Sequence, residues 1–209
     1  MIHSLEHIPY PVNFFKQLKS LMKPTGLLLL EVPDLANSPF DLIIADHCTH
    51  FSVNSLTNLV DSAGFRVSQV DNNCVSKEIT LIAINDIITN SPPPPNCFST
   101  DNNYLNCHLA YLEELLNQTQ QITGECGIFG SSISATWLSE ALQTRLRFFV
   151  DEDPNRIGKV HLGKPIININ SIPVNFPILM PMRRDIAILI ANRLSPAQVR
   201  FILPPPHAN

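Results

Sequence analysis

The sequence predicts an α/β protein made of two successive units. Three observations carry that expectation. Segments of helical period alternate with short apolar or β-branched runs; a polar tract with four consecutive prolines, Pro92 to Pro95, interrupts the alternation near the middle; and the 7 glycines all stand at junctions between segments. The expected organisation is a first unit over 1–88, a semi-rigid extended linker over 89–103, and a second unit over 104–209.

In chain order, the first residues read as the end of a buried strand. Pro11 to Met22 then carries Val12, Phe14, Phe15, Leu18, Leu21 and Met22 at three-to-four-residue spacing, which predicts an amphipathic helix stopped by Lys23-Pro24-Thr25-Gly26. "LLLLEV" follows without alternation, the pattern of a strand covered on both faces, and Pro33 ends it. "SVNSLTNLVDSAGF" predicts a helix capped by Ser52 or Asn54 and ended by Gly64. "RVSQVDN" and "KEITLIAIND" predict two strands.

Beyond the proline tract, Tyr104 to Thr123 predicts a helix. "CGIFG" is a short strand, "SSISATWLSEALQ" a helix with Trp137 in the core near Ile133 and Leu138, and "LRFFVDED" a strand ending in acids. "FPILMP" is a further strand and "RRDIAILIANRL" a helix with Ile186, Ile190 and Leu194 on its apolar face. Strand, helix, strand, loop, strand, helix is half of a doubly wound sheet.

The bulk numbers fit a packed protein: 209 residues at 44% hydrophobic content can bury a core. Fourteen Lys plus Arg against 18 Asp plus Glu give a net charge of -4 and a pI of 5.9, without the clustered positive charge that nucleic acid needs. No run approaches the ~20 apolar residues of a membrane span and no secretory signal is visible, so no membrane partner and a cytoplasmic location are expected. The 5 cysteines form no CxxC pair, which fits reduced, mostly buried thiols.

The run "HSLEHIPYPVNFFKQLKSLMKPTGLLLLEVPD" resembles the second half of class I S-adenosylmethionine-dependent methyltransferases, where an LEH segment precedes a helix and a "LKPGG" turn leads into the next strand; Thr25 replaces the first glycine of that turn. "PFDLIIADHCTHFS" resembles the segment of sugar C-methyltransferases that carries an acid-His pair. "GIFGSSISATWL" through "FFVDEDPNRIGKVHLGKPI" is similar to the Rossmann-like domain that follows the methyltransferase core in those proteins. The resemblance implies an incomplete class I methyltransferase (Rossmann-like) sheet followed by a second, smaller Rossmann-like α/β domain. The glycine-rich cofactor loop and ribose-binding acid of the family would precede Leu5-Glu6-His7 and are not in this chain, so a C-terminal portion is expected, inactive by itself, with one edge of the "LLLLEV" strand bare or covered by another chain.

By resemblance, His47 with Asp46 is the proton-removing pair, although the family's tyrosine falls on Ile44. Glu6 and His7 line the cofactor cleft, and S-adenosylmethionine is the expected cofactor. His50, Gly130, Ser131 and Ser132 are the expected substrate contacts, the substrate being a small molecule such as a nucleotide-linked sugar. The residues also admit plainer readings: Asp46 and His47 as a structural hydrogen-bonded pair, Glu6 as a helix starter, Gly130 to Ser132 as a tight turn. A metal reading rests on His3 and His7 and on the cluster Asp46, His47, Cys48 and His50; neighbours on an extended segment point apart, so no metal is expected. Gly130 with Asp151 would suit a dinucleotide only weakly. The alternative to an enzyme is a noncatalytic module that binds a nucleotide sugar or a partner, or an oligomer formed through the bare edge.

Overall fold

The computed structural model describes residues 1–86 and 98–206; the four prolines and Cys97 lie outside the described residues. The chain divides into Met1–Asn106 and Cys107–Asn209. That division falls inside helix α3 (Phe98–Gln120), so residues 98–103, expected as linker, are its first turns. Once the prolines are passed, every residue has an N–H to give, and Asp101 sits in the first turn where a carboxylate is favoured.

In the first unit α1 (Pro11–Leu21) starts with proline at its first turn, where the missing N–H costs nothing. Its end is held from a distance: Asn85 Nδ2 donates toward the carbonyls of Met22 and Lys23, both at 3.1 Å, and Lys19 Nζ donates to the carbonyl oxygens of Gly64 and Asp86. Phe15 is fully buried, whereas Leu21, expected on the same face, is 84% exposed. α2 (Val53–Ser62) is capped by Ser52 through a reciprocal box with Ser55.

Strands β1 (Leu27–Pro33), β2 (Arg66–Asp71) and β3 (Glu78–Ile84) form an antiparallel sheet in the order β1-β3-β2. Leu28, Leu30 and Val32 pair with Ala83, Leu81 and Ile79, and all six are buried with Phe15, Phe51, Leu56 and Val60 in one core. Leu27 and Leu29 are 70% and 45% exposed. The expectation of a strand covered on both faces is thus corrected: side chains alternate across a sheet, and here one face alone receives helices. The outer edge of β1 is partly paired. Ile2 bridges Glu31 in parallel, and His3 N and Glu31 N donate to Glu31 O and Met1 O at 3.0 and 2.9 Å.

In the second unit β4 (Cys126–Phe129), β5 (Leu146–Val150), β6 (Val160–His161), β7 (Lys164–Ile167), β8 (Pro177–Leu179) and β9 (Arg200–Ile202) form one sheet in the order β6-β7-β5-β4-β8-β9. All pairs are parallel except β6 with β7. The parallel strands therefore run 3-2-1-4-5 in chain order, the doubly wound order whose switch point lies between β4 and β8. α4 (Ile133–Leu142) links β4 to β5 and α5 (Arg184–Arg193) links β8 to β9. Phe129, Val150, Ile178 and Met180 line one face under Ala187, Ile190 and Leu194; Ile186, expected on that face of α5, is exposed. Ile128, Phe149, Ile166 and Leu179 are buried on the other. Trp137 is half-buried.

Among the described residues no helix is long and apolar enough to cross a membrane. Cys126 is buried, and burial pushes its thiol up to about 11, but Cys48 and Cys74 are exposed, so the cysteines are not mostly buried as expected.

Candidate functional site

At the carboxyl end of β1 three short segments converge. A 3-10 turn, Leu5–His7, leaves the strand-like N-terminal residues. A second, Pro39–Ile43, follows β1 and carries Asp41. The irregular stretch after it carries His47 and His50 and is tied to the first turn by the Glu6 carbonyl, which accepts from the N–H groups of Cys48 and Thr49 at 2.7 and 3.2 Å.

Asp41 organises the cluster. Its side chain is buried, and its two oxygens separate two histidines: His47 Nδ1 donates to Oδ1 at 2.6 Å and His50 Nδ1 donates to Oδ2 at 2.5 Å. An ionised carboxylate can only accept, so each ring presents its Nδ1 hydrogen to Asp41, and in the neutral form of the ring Nε2 keeps its lone pair. This is the acid-histidine arrangement that prepares an imidazole to take a proton.

The acid expected in that role was Asp46, and the structure corrects this. The Asp46 carboxylate is 76% exposed and approaches His7, with Oδ2 3.3 Å from Nδ1, while His7 Nδ1 also lies 3.1 Å from the Asp46 carbonyl oxygen. Asp46 sits in a turn closed by the His47 N–H donating to the Ile44 carbonyl at 3.1 Å, and its carboxylate is aimed at His7, so it does not orient the His47 ring. Asp41, six positions earlier, does. The one sequence signal for it was an acid placed just after Pro39, in a turn whose direction the composition does not reveal.

Glu6, His7 and His47 lie together, and His50 joins them through Asp41. The rings of His7 and His47 meet edge to face with centroids 4.8 Å apart. Glu6 is 1% exposed, and its Oε2 has no hydrogen-bond partner among the described residues. It is therefore no surface helix starter. His3 Nδ1 stands 3.7 Å from Glu6 Oε1 and 3.9 Å from Glu78 Oε2, which gathers Glu6, Glu31 and Glu78 around one ring.

Gly130, Ser131 and Ser132 form a separate grouping in the second unit, at the carboxyl end of β4 beside the switch point. Gly130 has φ +80°, and a Cβ there would meet nothing within 4 Å, so the position is open. Ser131 Oγ donates to Asp151 Oδ2 at 3.4 Å and accepts from Arg156 Nη1 at 3.1 Å. Asp151 Oδ1 accepts from the N–H groups of Glu152 and Asp153, so that carboxylate is occupied holding its own loop. Ser132 caps no N–H of α4 and instead shares a 2.9 Å bond with Ser134.

The first unit carries glycine at 26 and 64 alone. Both stand in helix-to-strand turns, where a Cβ would press on the Lys23 carbonyl at 2.9 Å or the Lys19 ammonium at 2.7 Å. Neither is a cradle for a large polar cofactor, so this unit by itself does not fit S-adenosylmethionine.

Residues 1–70 match the family model described as a methyltransferase domain. A stretch of 68 residues, 31% of this chain, is 38% identical to C-methyltransferase NovU of Streptomyces niveus. The match covers 16% of that protein's own length. The N-terminal unit, with its histidine cluster at the end of β1, is thus similar over residues 1–70 to methyltransferase domains.

Proposed function

We propose that the first unit supplies the proton-removing part of a C-methyltransferase site. Carbon is methylated only after it has been made nucleophilic, which for a small substrate means loss of a proton from a carbon beside a carbonyl. His47 Nε2 takes that proton. Asp41 holds the ring in the required tautomer and stabilises the imidazolium that forms, and His50 on the other oxygen keeps the Asp41 carboxylate from rotating. The methyl donor of this family is S-adenosylmethionine, and its grip lies outside the residues of this unit. In the second unit, the open turn Gly130 to Ser132 at the switch point is where a nucleotide-linked sugar would rest its phosphate-bearing end.

The observation that carries this reading is the buried Asp41 carboxylate holding His47 by Nδ1 at 2.6 Å. The step can be followed without methyl transfer. In deuterium oxide, the full chain incubated with a keto-sugar nucleotide exchanges the hydrogen beside the carbonyl, read by proton NMR. His47→Gln lowers that rate roughly 10²-fold or more, in line with general-base contributions. Exchange by His47→Gln at the unaltered chain's rate would sink the proposal.

A further inference from the structure

The geometry points to a divalent-cation site of the zinc class formed by Glu6, His7 and His47, a use of the cluster that goes beyond proton removal. One ligand atom from each of the three residues lies within 4.8 Å of the other two. The set is two imidazoles and a carboxylate, the borderline donors that suit zinc and cobalt and leave a coordination position open. Two further features single the cluster out. The Glu6 carboxylate is 1% exposed, yet its Oε2 has no hydrogen-bond partner among the described residues, and an unpartnered buried carboxylate oxygen is costly unless a proton or a cation meets it. His47 also gives its Nδ1 hydrogen to the buried Asp41, the carboxylate-histidine support that orients a metal ligand and raises its basicity.

Donors around a tetrahedral zinc at ~2.0–2.1 Å stand roughly 3.3 Å apart. Donor pairs as far as 4.8 Å apart must therefore close by up to about 1.5 Å, and the His7 side chain, 39% exposed, is the one with room to move. A cation on His47 takes the lone pair that would otherwise accept a proton, so the loaded form does not exchange, and the deuterium experiment is read on the chelator-treated chain.

Titrating Zn²⁺ into the chelator-treated full chain by calorimetry tests this, with Co²⁺ absorption as a second readout; neither requires a substrate, so the outcome is separate from that of the deuterium experiment. The expected result is one saturable equivalent and tetrahedral Co²⁺ bands. His7→Ala and Glu6→Gln each weaken binding at least tenfold, Asp41→Asn weakens it roughly ten- to hundredfold, and Cys48→Ser leaves it unchanged. Circular dichroism checks that each variant is folded; His7 is exposed enough to be replaced without touching the core. No saturable binding, binding undiminished in folded His7→Ala, or binding lost in Cys48→Ser overturns the assignment.

Discussion

Thr25 is the residue at which this chain departs most plainly from the glycine expected of its turn. It adopts φ +60°, the left-handed region that a β-branched side chain rarely tolerates. Its N–H donates to the Asn85 carbonyl at 2.8 Å, so the turn between α1 and β1 holds the conformation in place. Thr25→Gly keeps that bond and removes the strain of the left-handed conformation. After the extra freedom of glycine in the unfolded chain is deducted, stability should rise by about 0.5–1 kcal/mol; a urea midpoint that falls instead would show that the Thr25 side chain makes a compensating contact. Glu78 behaves differently. Burial raises its pKa above the ordinary 4.5, His3 opposes the rise, and the charges of Glu31, Glu6 and Asp41 add to it. A raised carboxyl binds its proton more tightly when folded, so its ionised form costs stability above the folded pKa, and the cost disappears below 4.5, where both states are protonated. Glu78→Gln should therefore raise the melting temperature at pH 7 in the presence of EDTA and leave it unchanged at pH 4. Equal melting temperatures at pH 7 would refute this.

At the scale of elements, glycine in β4 does what no other residue could. A Cβ at Gly127 would lie 2.6 Å from the Phe148 ring and 2.9 Å from Ile178, so the central strand lets its two neighbours close over it. Overpacking of this kind costs roughly 1–3 kcal/mol. Gly127→Ala should destabilise the second unit by that amount, seen as an earlier loss of its near-ultraviolet signal on heating; an unshifted transition would mean that Phe148 can swing away. The helices α1, α2, α4 and α5 were legible because a 3.6-residue period persists over ten or more residues, with proline marking the start of α1 and Ser52 that of α2. β7 and β9 were not. They are 4 and 3 residues long, and β7 contains Pro165, so neither offers enough alternation to register as a strand. Both are strands because a neighbour is there to bond them.

Over the whole molecule, the two units solve burial differently. The first is an antiparallel sheet with one covered face, the second a parallel sheet covered on both. "LLLLEV" and "CGIFG" look alike as apolar runs, yet the burial of β1 alternates while all four residues of β4 are buried. Composition at a position cannot distinguish these cases, since which face meets a helix depends on elements far away in the chain. The same holds for the site. Glu6, His7, His47 and His50 were each legible from the family pattern of two short segments, although not their gathering in one place. The acid that serves His47 was not, because adjacency suggested Asp46 whereas the backbone turn brings Asp41.

What the sequence determined by itself is local: where helices start and stop, where glycine or proline breaks the chain, which residue types supply donors and bases, and the kinship of residues 1–70 with methyltransferase domains. Tertiary structure alone decided that Leu27 and Leu29 stay exposed, that one carboxylate is shared by two histidines, and that Glu6 is buried beside two rings with an oxygen left over. The physical reason is the same in each case. Propensity and capping act between near neighbours along the chain, whereas burial and hydrogen-bond pairing are settled by which distant segments reach the same place.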